Sequence, residues 1–92
     1  MRILLLERFQ REVRDLTAVE RERCLDLLLS LPRTIGNPHA HAGLGIRKIH
    51  KSGVWEARLG VGLRVVFAMR NDEVILVTVG SHDDVRRYLS SL

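Results

Sequence analysis

Residues 54–89 read VWEARLGVGLRVVFAMRNDEVILVTVGSHDDVRRYL, and this stretch decides the fold. Its first two apolar segments, Val54–Leu59 and Leu63–Arg70, are separated by Gly-Val-Gly, which is typical of a three-residue hairpin loop with glycine where positive φ is needed. A turn at residues 71–72 leads into a third apolar segment, Glu73–Val79. Ser81 and the two aspartates after it predict the start of a last helix that reaches about Ser90. The stretch therefore predicts two hairpins followed directly by a capped helix.

The first third of the chain is predicted to be one strand followed by two helices. Residues 2–6 are an apolar strand, and an apolar repeat at helical spacing predicts a helix over residues 7–16. Thr17 and Glu20 have the spacing of a capping box, so a second helix is expected from Thr17 to about Leu31, where Pro32 ends it. The charged residues 21–23 are expected to form a solvated face. The buried stripe of this helix is expected to be Cys24, Leu27, Leu28 and Leu31.

Residues 32–45 are predicted to form a loop, because prolines and glycines interrupt every pattern there. His39 and His41 lie in it, but no Cys, Asp or Glu is nearby to complete a zinc site, so no metal is expected. A loop able to close over a partner is the favoured alternative. Residues 46–51 begin the sheet or lead into it. The order is thus β-α-α-β-β-β-α, or nearly so.

This order predicts a single α+β domain over residues 1–92. Its twisted, mainly antiparallel sheet carries the N-terminal helical hairpin on one face, and a short helix ends the chain. The lone Cys24 excludes an internal disulfide, and its place on an apolar stripe favours a packed side chain over a reactive thiol. No apolar run is long enough for a signal peptide or a membrane span, so a cytoplasmic protein without a cofactor is expected.

The net charge of +4 is concentrated in the middle of the sequence. Residues 32–70 carry seven basic side chains and one acidic side chain, whereas residues 1–31 sum to zero and residues 71–92 to −2. Segregated positive charge of this kind favours a polyanion or an acidic protein as partner over a solvated face without a ligand.

The loop at residues 60–62 fixes the register of the first hairpin. It places Trp55 opposite Phe67 on an apolar face, where a core role is favoured over stacking on a ligand. Arg58 lies opposite Arg64 on the other face, although like charges across a strand pair are destabilising. Either Glu56 bridges both guanidinium groups, or the pair binds an anion such as a phosphate. The second alternative is favoured by the basic residues nearby, Arg47, Lys48 and Lys51.

Two further polar side chains follow the second hairpin. This hairpin is expected to place Val79 opposite Arg64, and His82 follows in the first turn of the last helix. A neutral imidazole there can serve as a general acid or base, and the alternative is a histidine that only bonds to the backbone. Tyr88 lies one and a half helical turns further on, so it does not share a face closely with His82. Tyr88 could fold back toward the sheet or lie at the edge of the core.

The segments WEARLGVGLRVVFAM and DEVILVTVGSHDDVRRYL resemble the RelE/ParE toxin superfamily. In that pattern a strand leads to a Gly-x-Arg hairpin, then to an apolar strand ending in Val-Gly, then to a short polar segment with a late Tyr. The two N-terminal helices and the connector SLPRTIGNPHAHAGLGIRKI fit the same layout, so the resemblance covers nearly the whole chain. The triplet Gly80-Ser81-His82 is similar to the YafQ-type variant, and the Gly-x-His-Asp motif points to a subgroup of the RelE/YafQ-like branch.

The resemblance implies a ribosome-dependent endoribonuclease, in which the ribose 2′-OH of mRNA attacks the adjacent phosphate. It implies that Arg64 stabilises the phosphorane with help from Arg58, and that His82 is the general acid or base. Tyr88 would stack on a base or shuttle a proton. Glu56 stands where RelE has Lys, and a Glu acts as the base in YoeB-like branches. Residues expected to bind the RNA are Arg47, Lys48 and Lys51.

The resemblance also implies the partners. A type II toxin of this kind acts on mRNA in the ribosome and is neutralised by a cognate antitoxin, with which it forms a hetero-oligomer. Two alternatives use the same scaffold: a ParE-like gyrase inhibitor, and a non-toxic interaction module. Fold alone does not decide between them.

Overall fold

The computed structural model of the protein describes residues 1–35 and 45–92. The elements of this part are β1 (Arg2–Leu5), α1 (Glu7–Arg14), α2 (Ala18–Ile35), β2 (Arg47–His50), β3 (Val54–Leu59), β4 (Leu63–Arg70), β5 (Glu73–Gly80) and α3 (His82–Ser90). The predicted α+β class is confirmed. The prediction for His39 and His41 lies outside the described residues.

The five strands form one sheet in the order β1-β5-β4-β3-β2. All neighbours are antiparallel except β1 and β5, which are parallel. The segment over residues 46–51, for which the sequence left two possibilities, contributes the edge strand β2. The order of elements is therefore β-α-α-β-β-β-β-α, one strand more than predicted.

The main core lies between the sheet and the two N-terminal helices. Phe9 of α1 and Leu31 of α2 are fully buried against Phe67 at the centre of β4. Trp55 packs at the edge of this core and lies opposite Phe67, as the hairpin loop predicted. Cys24 is also part of the core, and burial raises the pKa of its thiol above the usual range. The thiol is therefore held in its unreactive protonated form.

Helix α2 continues one turn beyond the point where the sequence predicted its end. Pro32 removes one backbone donor, yet the helix runs to Ile35. The hydroxyl groups of Ser30 and Thr34 donate to carbonyl groups one turn earlier, at 3.0 and 2.8 Å. Leu31 and Thr34 are both buried. The prediction that Pro32 ends the helix is wrong, because burial of this last turn outweighs the local signal.

A β-bulge changes the pairing of β4 with β5. The register shifts at Val77, which is one extra residue on β5. Consequently Arg64 lies opposite Gly80, and the prediction that it faces Val79 is wrong by one residue. The shift lets Val79 point into the main core. The first hairpin has no such irregularity, and its predicted register is confirmed.

Helix α3 covers part of the sheet face opposite the N-terminal helices. Val85 of α3 packs against Val66 and Val77 of the central strands and forms a second, smaller apolar cluster. The charged residues of β3 and β4 lie beyond this cluster, on the same face and closer to the turn that joins the two strands. None of the helices in the described residues has the length and apolar character that crossing a membrane requires.

The capping box predicted at Thr17 is present, and Ser81, which was predicted only as a helix cap, forms a second one. The backbone N–H of Thr17 donates to Glu20 Oε1 at 2.9 Å, and the N–H of Glu20 donates to Thr17 Oγ1 at 3.1 Å. At α3 the N–H and the hydroxyl of Ser81 both donate to Asp84 Oδ2 at 2.9 Å. These bonds, together with a contact from Arg87, hold the pKa of Asp84 below its usual range. The cap thus fixes the position at which β5 ends and α3 begins.

Asp84→Ala is expected to lower the free energy of unfolding by about 0.3–1 kcal/mol near neutral pH, the usual contribution of an exposed acidic side chain in the first turn of a helix. Because the folded-state pKa of Asp84 lies below the unfolded-state value, this stabilisation is fully present above the unfolded pKa. It is lost as the pH falls through the folded pKa. Urea unfolding should therefore show a difference between wild type and variant that shrinks below about pH 4.

The matched control is Asp83→Ala, which removes the neighbouring carboxylate of the same helical turn and leaves the capping box in place. A loss of stability that is the same at every pH, or equal in both variants, contradicts the role given to the Asp84 carboxylate.

Candidate functional site

Two arginines face each other on the open part of the sheet. Arg58 of β3 and Arg64 of β4 are directly paired in the register, so their Cβ atoms are about 4.5–5.5 Å apart. Neither side chain forms an ion pair or hydrogen bond with any other part of the chain that the structure describes. Arg58 is exposed and Arg64 half-buried. The pair is therefore a concentration of positive charge that the surrounding protein does not neutralise.

Glu56 is the buried carboxylate of this region, with 2% of its surface exposed. Strand β2 places Arg47 opposite it, and Arg47 Nε donates to Glu56 Oε1 at 2.8 Å. An ionised carboxylate is costly to bury without such a partner. Glu56 thus pairs with Arg47, and the alternative in which it bridges Arg58 and Arg64 does not occur. Its second oxygen, Oε2, receives no hydrogen bond from the described residues.

These side chains surround a depression that we call the arginine cleft, with a volume of about 380 Å³. Its lining residues are Gly45, Ile46, Arg47, Glu56, Arg58 and Arg64. Gly45 is a site residue that the sequence did not reveal. A Cβ at Gly45 would overlap Arg58 Nε, so the side chain of Arg58 rests directly on the Gly45 backbone. A glycine before a strand signals a close approach, but the sequence does not tell which side chain approaches.

A second depression, the histidine cleft, adjoins the first and has a volume of about 290 Å³. It is lined by Arg47, Lys48, Ile49, Glu56, His82, Val85, Arg86 and Leu89. Arg47 and Glu56 line both clefts, so the buried carboxylate lies between the arginine pair and the imidazole. His82 is exposed in the first turn of α3. Four of the five predicted catalytic residues are thus brought to two adjoining clefts.

Tyr88 is the predicted catalytic residue that the structure does not bring there. It lies on the side of α3 that faces α1, where the Arg8 guanidinium carbon is 5.7 Å from the centre of its ring. Tyr88 and Arg8 line a separate cleft of about 630 Å³ together with Glu12 and Asp84. The helical spacing between His82 and Tyr88 explains this separation, because the two side chains leave α3 in different directions.

The predicted RNA-binding residues are distributed unevenly. Arg47 lines both clefts and Lys48 lines the histidine cleft. Lys51 is exposed in the turn after β2 and lines neither.

The two clefts combine cationic side chains that can bind an anion with nearby groups that can accept or donate a proton. Guanidinium pairs match the geometry of phosphate oxygens. A carboxylate with an unoccupied oxygen can accept a proton, and an exposed imidazole can donate or accept one. Within residues 1–35 and 45–92, no group of three or more His, Cys, Asp or Glu side chains is placed to hold a metal ion.

Comparisons with known proteins support the fold. No protein-family model and no curated protein matches the sequence. Solved structures do match. The RelE–RelB complex from Pyrococcus horikoshii OT3 has a TM-score of 0.69 and 15% identity, and the match covers 87% of this chain and 92% of that one.

Two further structures match over a similar length. The YoeB/ParE toxin from Agrobacterium tumefaciens has a TM-score of 0.71 at 19% identity, and the match covers 89% of this chain and 99% of that one. The E. coli RelBE toxin–antitoxin complex has a TM-score of 0.63 at 23% identity, with 87% and 94% covered. The chain therefore has the fold of the RelE/ParE toxins, as its resemblance to that superfamily predicted. The RelE/YafQ-like branch stays a prediction.

Proposed function

We propose that the protein is the toxin of a type II toxin–antitoxin system and cleaves mRNA on the ribosome in the cytoplasm. The fold supports this proposal, because the structures that share it include RelE, YoeB and YafQ toxins. The observation that carries the ribonuclease assignment is the arginine pair beside a buried carboxylate. Arg58 and Arg64 offer two cations without a partner in the described part of the chain, and Glu56 offers one oxygen without a donor.

In the proposed reaction the ribose 2′-oxygen attacks the adjacent phosphorus, and the bond from phosphorus to the 5′-oxygen breaks. The products are a 2′,3′-cyclic phosphate and a 5′-hydroxyl. The pentacoordinate transition state carries more negative charge on its phosphoryl oxygens than the ground state does. Arg58 and Arg64 line one cleft and would stabilise that charge, which is the type of interaction that accelerates the step.

The attack also requires one proton to leave and another to arrive. Arg47 occupies Oε1 of Glu56, so Oε2 is the oxygen that would accept the proton of the 2′-hydroxyl. His82, in the adjoining cleft, would then protonate the leaving 5′-oxygen. Lys48 lines the same cleft and would contact the RNA backbone. Tyr88 has no part in this mechanism, since its ring lies over Arg8.

The proposed partner is a cognate antitoxin. Several structures with the same fold are complexes with an antitoxin, including RelB–RelE from Methanococcus jannaschii and YoeB–YefM from Staphylococcus aureus. An extended or helical antitoxin segment would cover the basic clefts. A mainly apolar groove of about 680 Å³ between α1 and α2 offers a second contact surface, with Leu25 exposed on its rim.

Expression of the chain alone from a tightly repressed promoter tests the proposal. We expect the incorporation of labelled amino acids to fall before that of labelled thymidine, because mRNA cleavage stops translation first. Arg64→Ala, expressed at the same level, is the control and should permit growth. If thymidine incorporation stops first, the target is gyrase, as in the ParE-like alternative. Normal growth with folded wild-type protein would leave a non-toxic interaction module.

A further inference from the structure

A third basic cleft continues the arginine cleft on its other side. This turn cleft, of about 290 Å³, lies between α2 and the turn that joins β3 to β4. It is lined by Arg23, Asp26, Leu27, Ser30, Arg58, Leu59 and Gly60. Arg23 lies against Gly60, where a Cβ would be 2.7 Å from Nη1. Arg23 is exposed, as predicted for a solvated helix face. It also lines the turn cleft together with Arg58.

The three clefts adjoin one another through shared side chains, and together we call them the groove. Arg58 lines both the turn cleft and the arginine cleft. Arg47 and Glu56 line both the arginine cleft and the histidine cleft. Two of the clefts fall just below the range for small-molecule sites, about 300–1,000 Å³, and the third lies near its lower limit. A row of small adjoining clefts suits a chain-like ligand better than a compact one.

The groove holds six cationic side chains and two carboxylates, Glu56 and Asp26, in the described part of the chain. Its formal excess of four positive charges equals the net charge of the whole protein. The remaining cations and anions of the chain therefore balance each other. The six cations of the groove are Arg23, Arg47, Lys48, Arg58, Arg64 and Arg86.

The groove cations also differ from the others in their contacts. Except for Arg47, their side chains form no ion pair or hydrogen bond within residues 1–35 and 45–92. Of the nine cations outside the groove, six are engaged in such contacts there. The engaged residues are Arg2, Arg8, Arg11, Arg14, Arg21 and Arg87. Unengaged positive charge is thus concentrated where the groove runs, which points to an external polyanion.

We infer that this groove is a track for single-stranded RNA, in which Arg23 and Arg86 bind phosphates on either side of the scissile one. The inference rests on the proposed function for the position of that scissile phosphate at Arg58 and Arg64. The groove passes from the α3 side of the sheet to α2, and a flexible single strand can follow such a path whereas a stiff duplex cannot. The described residues that line the groove include no Phe, Tyr or Trp. The RNA is therefore held by its backbone, with little discrimination between bases.

The test is the salt dependence of binding to fluorescent 2′-O-methyl RNA, which lacks the attacking hydroxyl and stays intact. For an oligomer of about eight nucleotides, Arg23→Ala and Arg86→Ala should each reduce the slope of log K against log salt by about 0.7, and the double variant by about 1.4. A dinucleotide with a single phosphate should not distinguish these variants from wild type. The control is Arg70→Ala, which removes the same charge outside the groove and should keep the wild-type slope.

Three results overturn the track. The first is no affinity of the wild type for the oligomer, and the second is variants of Arg23 and Arg86 that behave like Arg70→Ala. The third is polyglutamate that binds as tightly as the RNA oligomer and loses as much affinity in the Arg23 and Arg86 variants. The last result would mean an acidic protein segment as the ligand. Cleavage of mRNA on ribosomes is measured separately. If the protein cleaves mRNA but Arg23 and Arg86 do not affect its affinity for RNA, the track is removed and the proposed function is kept. If affinity depends on both residues but the protein does not cleave mRNA, the track is kept and the proposed function is removed.

Discussion

Arg64→Ala is expected to lower kcat for mRNA cleavage on programmed ribosomes by about 10²–10³-fold, the effect of removing one donor that stabilises transition-state charge. The side chain forms no ion pair or hydrogen bond with the described residues, so its loss should not weaken the fold. Removal of one member of the Arg58–Arg64 pair instead relieves a repulsion between like charges. The expected signature is a large loss of activity with an unchanged or slightly higher free energy of unfolding.

Two variants make this result specific. Arg64→Lys keeps the charge but not the planar fork of donors, so its activity should fall between those of wild type and Arg64→Ala. Arg70→Ala removes an exposed arginine from the other end of the same strand and should cleave like wild type. Single-turnover cleavage and urea unfolding of all four proteins provide both measurements. Full activity of Arg64→Ala, or a loss of activity that only follows a loss of stability, would remove Arg64 from the mechanism.

The parts of the fold that were predicted correctly depend on short-range signals. The Gly-Val-Gly loop fixed the register of the first hairpin, because a loop of three residues leaves one way to pair the strands that follow. It therefore also predicted that Arg58 faces Arg64. Ser81 marked the start of α3 because a serine followed by acidic residues in the first turn is typical of a helix N-terminus. In each case the residues that specify the structure lie within a few positions of one another.

The errors in the fold come from packing between distant segments. Pro32 is a strong local signal for a helix end, but burial of Leu31 and Thr34 keeps the next turn helical. The bulge at Val77 has no marker in an apolar run and serves to bring Val79 into the core. Neither outcome follows from a pattern within one segment, because each is decided by the opposing surface.

The candidate site likewise combines features that short-range signals predict with features that depend on contacts between distant segments. The partner of Glu56 could not be predicted, because Arg47 reaches it through the pairing of β2 with β3, and β2 itself was left open. Gly45 and Arg23 were missed because each meets its neighbour across a gap in the sequence. The hairpin thus predicted Arg58 and Arg64, the two central cations of the groove. The pairing of Glu56 with Arg47 and the position of Arg23 depend on the assembled sheet and helices and could not be predicted.

Glu56→Gln is expected to reduce kcat by about 10²–10⁴-fold, the contribution of a general base. The amide oxygen of Gln can still accept the hydrogen bond from Arg47 Nε, so packing around the side chain is kept. The second oxygen, however, is replaced by an NH₂ group, which cannot take a proton from the 2′-hydroxyl. His82→Gln is expected to cause a loss in the same range by removing the acid. Asp83→Asn, next to His82, is the matched control and should retain activity.

The pH dependence separates the two roles. If Glu56 is the base, Glu56→Gln should lose the rising limb of the profile of kcat/KM against pH, and His82→Gln should lose the falling limb. If instead Glu56→Gln loses the falling limb and His82→Gln loses the rising limb, His82 is the base and Glu56 is the acid. Cleavage that survives in both variants would mean that the Glu56–Arg47 pair only holds β2 to β3 and that His82 serves the helix end. Growth arrest that persists in both, without cleavage, would instead favour gyrase as the target, since that activity requires no proton transfer by these residues.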